Sequence, residues 1–141
     1  MKILHQAAPV RNQSNPRLLF LFVFILFCAL LAASAVAQTI QVDMTNYAFT
    51  PSTLQLRANT PYRLRFSNAS HSGHSFSARE FFATASVAPA DRAKVVDGEV
   101  EVDGGQTVDV NLTIPTPGNY RFHCSHFLHS AFGMTGEAIV R

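Results

Sequence analysis

The first 37 residues contain no acidic side chain, and the 104 that follow contain a single cysteine, Cys124. The first absence belongs to a leader. Lys2, Arg11 and Arg17 precede an apolar run from Leu18 to Leu31, and Ala35-Val36-Ala37 forms a small-x-small cleavage site. This is the layout of a secretory signal peptide, which places the mature domain, residues 38–141, in the periplasm. An uncleaved membrane anchor is the alternative, because the twenty residues Leu18 to Ala37 hold Ser34 as their one polar side chain. Cys28 does not mark a lipoprotein, since Phe27 stands where a small residue is needed.

The second absence constrains chemistry. With Cys28 in the leader, the exported domain has no partner for an intramolecular disulfide in a compartment that permits them. A lone exported thiol is a liability or a ligand. A basic patch is also missing. The whole chain carries a formal +2, but its excess of cations lies in the leader, and residues 38–141 hold eight basic against nine acidic side chains. Nothing here argues for a nucleic-acid partner. No internal repeat, low-complexity tract or second domain interrupts the chain.

What is present is period-2 alternation, the pattern of half-buried strands. Ile40, Val42 and Met44 alternate with polar residues, as do Leu54 and Leu56, then Tyr62, Leu64 and Phe66. Val100 and Val102 follow, then Val108 to Ile114, then Tyr120, Phe122 and Cys124, and Thr135 to Arg141 makes a last strand. Turn chemistry separates them at Thr50-Pro51-Ser52, Asn59-Thr60-Pro61, Asp103-Gly104-Gly105 and Pro115-Thr116-Pro117-Gly118. The expected fold is an all-β Greek-key sandwich of about seven or eight strands in antiparallel sheets packed face to face. One short helical insertion is expected over Arg79 to Ala85, followed by a surface excursion from Ser86 to Asp97.

The chemistry concentrates in Tyr120 to Met134, which holds one thiol, three imidazoles and one thioether. Soft sulfur with imidazole is the donor set that copper prefers. Strand alternation turns Cys124 inward with Tyr120 and Phe122, and His123 outward. His129 lies five residues beyond Cys124, and Met134 five beyond His129. A loop of that spacing can fold back and present Cys, His and Met to one point, with Gly133 allowing a tight turn beside Met134. A fourth donor has to come from His71-Ser-Gly-His74-Ser-Phe76, where the other histidine cluster lies.

Cys124-x4-His129-x4-Met134 after an aromatic strand, with the distant Gly73-His74-Ser75-Phe76, resembles the cupredoxins, the small blue copper proteins. The loop spacing is similar to that of the azurin and rusticyanin groups. The resemblance covers roughly residues 39–141. It departs from the pattern at the additional His71, His123 and His126 and at the Phe81-Phe82 insertion. It implies one type 1 copper ion, with His74, Cys124 and His129 in a trigonal plane and Met134 as a weak axial ligand. Ser75 and the loop backbone are candidate donors to the Cys124 sulfur.

The ordinary readings of these residues differ. A lone cysteine on an apolar face is usually a small core residue, and a methionine after glycine is usually packing. His71 sits in a serine-rich turn and is expected to be solvated. His126 competes with His129, but a C-x-H step is too short to wrap a metal comfortably. Phe76, Phe81 and Phe82 are expected in the core, with the last two roofing the copper end. Phe127, Leu128, Ala131 and Phe132, if exposed, make an apolar docking patch.

The expected function is single-electron transfer between redox partner proteins, cytochrome-like or oxidase-like, by a monomeric carrier that is not an enzyme. The alternative is a copper-binding or copper-delivery protein without redox turnover. A membrane enters only if the leader is retained.

Overall fold

The computed structural model describes residues 37–141. The leader and alternative anchor up to residue 36, most of the cleavage site, and Cys28 lie outside these residues. Among the described residues no helix is long and apolar enough to cross a membrane.

Among the described residues ten strands form: β1 Gln38–Thr45, β2 Ala48–Thr50, β3 Thr53–Leu56, β4 Pro61–Asn68, β5 His74–Ser77, β6 Ser86–Val87, β7 Glu99–Val102, β8 Thr107–Thr113, β9 Gly118–His123 and β10 Thr135–Val140. Helix α1 spans Arg79–Thr84, and a 3-10 helix spans Pro89–Lys94. One sheet has the order β2-β1-β4-β8-β6 and the other β3-β10-β9-β5-β7. The additional strands over the seven or eight expected are short segments such as β2 and β6, too brief to show alternation.

The pairing is not wholly antiparallel, as the alternation had suggested. β1 runs parallel to β4, and β10 parallel to β3. Alternation reports which face is buried but not strand direction. Direction is decided at Pro51-Ser52, which carries the chain from β2 in one sheet to β3 in the other. The returning β4 then lies beside β1 in the same sense.

The inward faces are those expected. Val42, Met44, Leu64, Phe66, Val100, Val102, Val110 and Ile114 are fully buried. Phe76 is the centre of an aromatic group, with ring centroids 4.5 Å from Phe122, 4.7 Å from Phe66 and 6.0 Å from Phe49. Each such pair adds about 0.5–1.5 kcal/mol beyond area burial. Gly136 is required by close approach, since a Cβ there would lie 2.3 Å from the Ser52 carbonyl oxygen and 2.4 Å from the Phe122 ring.

The stretch Ser86 to Asp97 is more than a surface excursion. β6 pairs with β8, and Asp91 in the 3-10 helix is buried. Its carboxylate accepts from Lys94 Nζ at 2.6 Å, the Asn111 backbone N–H at 2.9 Å and Asn111 Nδ2 at 2.8 Å. The Lys94 hydrogen bond, reinforced by those from Asn111, lowers the Asp91 pKa to about 2. Phe81 and Phe82 are buried but do not roof the ligand loop. They pack on Phe76, and Phe81 also meets Tyr120, four residues up the strand from Cys124. α1 leaves β5 at the end away from His74, which sets that position.

Candidate metal centre

β5 and β9 are neighbours, but they pair only at Ser77 and His123. Beyond that point the ladder opens, and side chains occupy the gap. The Ser75 N–H points at Cys124 Sγ at 3.4 Å. Ser75 Oγ accepts the Ser125 N–H at 2.9 Å and lies 3.0 Å from Ser125 Oγ. At 3.9 Å from the sulfur, Ser75 Oγ is the weaker donor to it. The expectation that Ser75 addresses the sulfur is therefore met by its backbone. Cys124 stands one residue past the end of β9, where the strand's alternation still turns it inward, and it is fully buried.

The loop after Cys124 is wound rather than extended. His129 N–H donates to the His126 carbonyl, Phe132 N–H to Leu128, and Gly133 N–H to Ser130. Gly133 carries φ +98°, which a side chain would strain. Two bonds then close the loop on its stem. Met134 N–H donates to the His129 carbonyl, and Cys124 N–H donates to the Met134 carbonyl, both at 3.0 Å. Cys124, His129 and Met134 are thereby locked to one another through the backbone.

His74 enters from β5, two residues before Phe76 on the same inward face, and is fully buried. Its Nδ1 lies 3.2 Å from His129 Nδ1 and 4.0 Å from Cys124 Sγ. His129 Nδ1 lies 3.4 Å from the same sulfur. These separations form an acute triangle, and the point equidistant from its corners lies about 2.1 Å from each. That matches the ~2.0–2.3 Å of metal–imidazole and metal–thiolate bonds. Three donors converging on a point at bonding distance, two imidazole and one thiolate, fit a trigonal copper site. Met134 is fully buried in the same apolar cluster as Cys124, at the stem of the loop.

Burial is the main cause that lowers the His74 pKa, and the nearby His129 and His126 lower it further. All three favour the neutral ring, the form with a lone pair to give. The other nitrogen, Nε2, lies 2.9 Å from Asn46 Oδ1, so it donates there and leaves Nδ1 free for the site.

The additional histidines sort themselves by position. His71 and His123 are exposed, as expected. His126 stacks on His129 at 5.4 Å between centroids, and its Nε2 lies 2.8 Å from Glu101 Oε1. It stands beside the donor triangle, outside the group of His74, Cys124 and His129, whose atoms lie within 4.8 Å of one another. Phe127 is 87 % exposed, and Phe132 and Leu128 are exposed with it. The sequence reading missed Asn46 and Tyr47, which touch His74 and His129. The one cue to that turn was the end of alternation after Met44, which does not say what it faces.

Comparison with known proteins agrees with this fold. Auracyanin B is similar in structure, with a TM-score of 0.58 and 24% identity over 74% of this chain and 89% of that one. Auracyanin A of Chloroflexus aurantiacus, a blue copper protein, has a TM-score of 0.54 and 19% identity, covering 75% of this chain and 100% of its own. A multi-copper oxidase of Pseudomonas thermotolerans has a TM-score of 0.58 and 18% identity, covering 77% of this chain and 30% of that one. At these identities the likeness is one of fold. No curated protein matches by sequence. The cupredoxin-like domain family matches residues 18–140. With that match spanning most of its length, and with a donor set that fits copper, the chain belongs to the cupredoxin-like domain family.

Proposed function

We propose that the protein is an exported electron carrier that holds one type 1 copper ion. In this reading His74, Cys124 and His129 would hold the ion, and Met134 would complete the donor set with its thioether. The observation that carries it is the donor triangle. It is built from one buried imidazole, one buried thiol and one half-buried imidazole, spaced for bonding to a common centre.

Bound copper would supply a centre that alternates between Cu(I) and Cu(II), tuned by the thioether and by hydrogen bonding at the thiolate sulfur. The chain does the rest. The Ser75 N–H donates to the Cys124 sulfur and would stabilise the negative charge of a copper-bound thiolate there. Phe76 and Phe122 back the site with close-packed rings that exclude water. The wound loop, closed through Met134, limits how far the donors can move and so keeps reorganisation small. His129 is the half-buried donor, and Phe127, Leu128 and Phe132 stand exposed on its loop. Such an apolar surface suits brief docking of a cytochrome-like or oxidase-like redox partner, with His129 as the route for the electron. The signal-peptide pattern supports a periplasmic location for this carrier, which in this reading acts as a monomer and not as an enzyme.

The test is to load the protein with Cu(II) and record visible and EPR spectra. An intense thiolate-to-copper band with small copper hyperfine splitting is expected. Its absence would sink the electron-carrier reading and leave copper delivery. Met134→Leu is expected to retain copper and shift the reduction potential. An unaltered potential would remove Met134 from the ligand set.

A further inference from the structure

Both imidazoles of the donor triangle touch one two-residue turn, Asn46-Tyr47, between β1 and β2. Asn46 Oδ1 accepts from His74 Nε2 at 2.9 Å. The Tyr47 ring meets the His129 ring edge-on, with centroids 4.9 Å apart. Tyr47 also packs on Phe132 of the ligand loop at 5.0 Å. The turn is 28 residues before His74 and 82 before His129, and it belongs to the sheet that contributes no donor.

Asn46 is itself braced. Its Oδ1 also accepts from Ser72 Oγ at 3.0 Å. The Ser72 carbonyl in turn accepts from Asn68 Nδ2 at 2.8 Å and from Ser70 Oγ at 2.9 Å. The buried Asn68 side chain further binds the Val102 carbonyl and the Ser70 backbone N–H. The acceptor for His74 is thus held by a chain of hydrogen bonds that ends in the core. An acceptor at Nε2 selects the tautomer with the proton there and fixes the rotation of the ring.

We infer that Asn46 and Tyr47 are positioning residues that pre-set His74 and His129 for copper, Asn46 by fixing the tautomer and Tyr47 by fixing the ring that faces solvent. This rests on the copper reading above. Each imidazole is then held in its binding orientation before metal arrives, and little ordering remains to be done on binding. Asn46 is exposed, so water can replace the acceptor but cannot hold its direction.

The test uses Asn46→Ala, Asn46→Asp, Tyr47→Ala and Tyr47→Phe. Copper affinity is measured by competition with a chromogenic Cu(I) chelator, the Cu(II) site by EPR, and His74 in the metal-free protein by ¹⁵N NMR. Asn46→Ala is expected to weaken copper binding about 10-fold or more, to change the hyperfine splitting, and to mix the two His74 tautomers. Asn46→Asp, which keeps the acceptor, is expected to restore the single Nε2–H tautomer and most of the affinity. Tyr47→Ala is expected to weaken binding with no change in the His74 tautomer, and Tyr47→Phe to match the unaltered protein. Wild-type affinity, hyperfine splitting and tautomer in Asn46→Ala would overturn the role of Asn46. Equal losses in Asn46→Ala and Asn46→Asp would overturn it too, and equal losses in both Tyr47 variants would overturn that of Tyr47. Failure of the copper reading is distinct, because it shows as a missing thiolate band in the unaltered protein.

Discussion

The two longest stretches of the described chain between regular strands treat apolar side chains in opposite ways. The insertion between β5 and β7 carries Phe81 and Phe82, and both are buried. The loop between β9 and β10 carries Phe127, Leu128 and Phe132, and all are exposed. The insertion has a helix, a short strand paired to β8 and a buried carboxylate tied to Lys94 and Asn111. The loop has backbone bonds that close it on itself and on Cys124. The insertion is therefore held by the core, whereas the loop is held by its own turns and its stem. Where the fold could bury phenylalanines in an excursion it did. Those left at the loop surface form the face that the proposed docking would use.

This contrast can be broken at several points. The largest effect is expected at the stem of the loop. Cys124→Ser should abolish the visible copper band and leave a cooperative thermal transition, since the core is otherwise intact. A surviving band would remove the thiolate from the site. In the insertion, Phe81→Ala should cost about 3–5 kcal/mol in denaturant unfolding through the cavity it leaves. A cost within the range of a surface substitution would mean that the insertion is not part of the core.

Asp91 gives the insertion a pH signature. Its folded pKa is about 2, below the ordinary 3.8. The depressed value stabilises the fold above pH 4, and that contribution is lost as pH falls from about 4 towards 2. With the exposed Lys94 as its main partner, the contribution is about 1–2 kcal/mol. Asp91→Asn should flatten the decline in melting temperature over that window, and an unchanged acid limb would disprove the assignment. The smallest stability effect belongs to the loop surface. Phe127→Ser should change stability by no more than about 0.5 kcal/mol while slowing electron exchange with a docked partner. Destabilisation by several times that amount would make Phe127 structural.

The part of the site that could be read from sequence was carried by short-range geometry. Cys124, His129 and Met134 share one loop, and strand alternation turned Cys124 inward and His123 outward. His74 needed a long-range contact, which the resemblance of Gly73-His74-Ser75-Phe76 to the cupredoxin pattern implied. Asn46 and Tyr47 had no such motif. A polar residue in a hairpin turn has many ordinary uses, and only the packing of one sheet over the other brings this turn to both imidazoles. The parallel pairs were hidden for a related reason, because period-2 burial is the same for a strand running in either direction. The structure of Ser86 to Asp97 was hidden because a two-residue strand and a single buried carboxylate leave no periodic trace.

Sequence by itself determined the β class, the inward and outward faces, and the order and spacing of the candidate donors Cys124, His129 and Met134 along the loop, because these follow from residue type and short-range spacing. Tertiary structure alone decided the opening between β5 and β9 that admits the sulfur, the triangle of Nδ1, Nδ1 and Sγ, and the turn that braces both imidazoles. Each of these joins residues tens of positions apart, and their separation in space is set by how the two sheets pack, which no local pattern encodes.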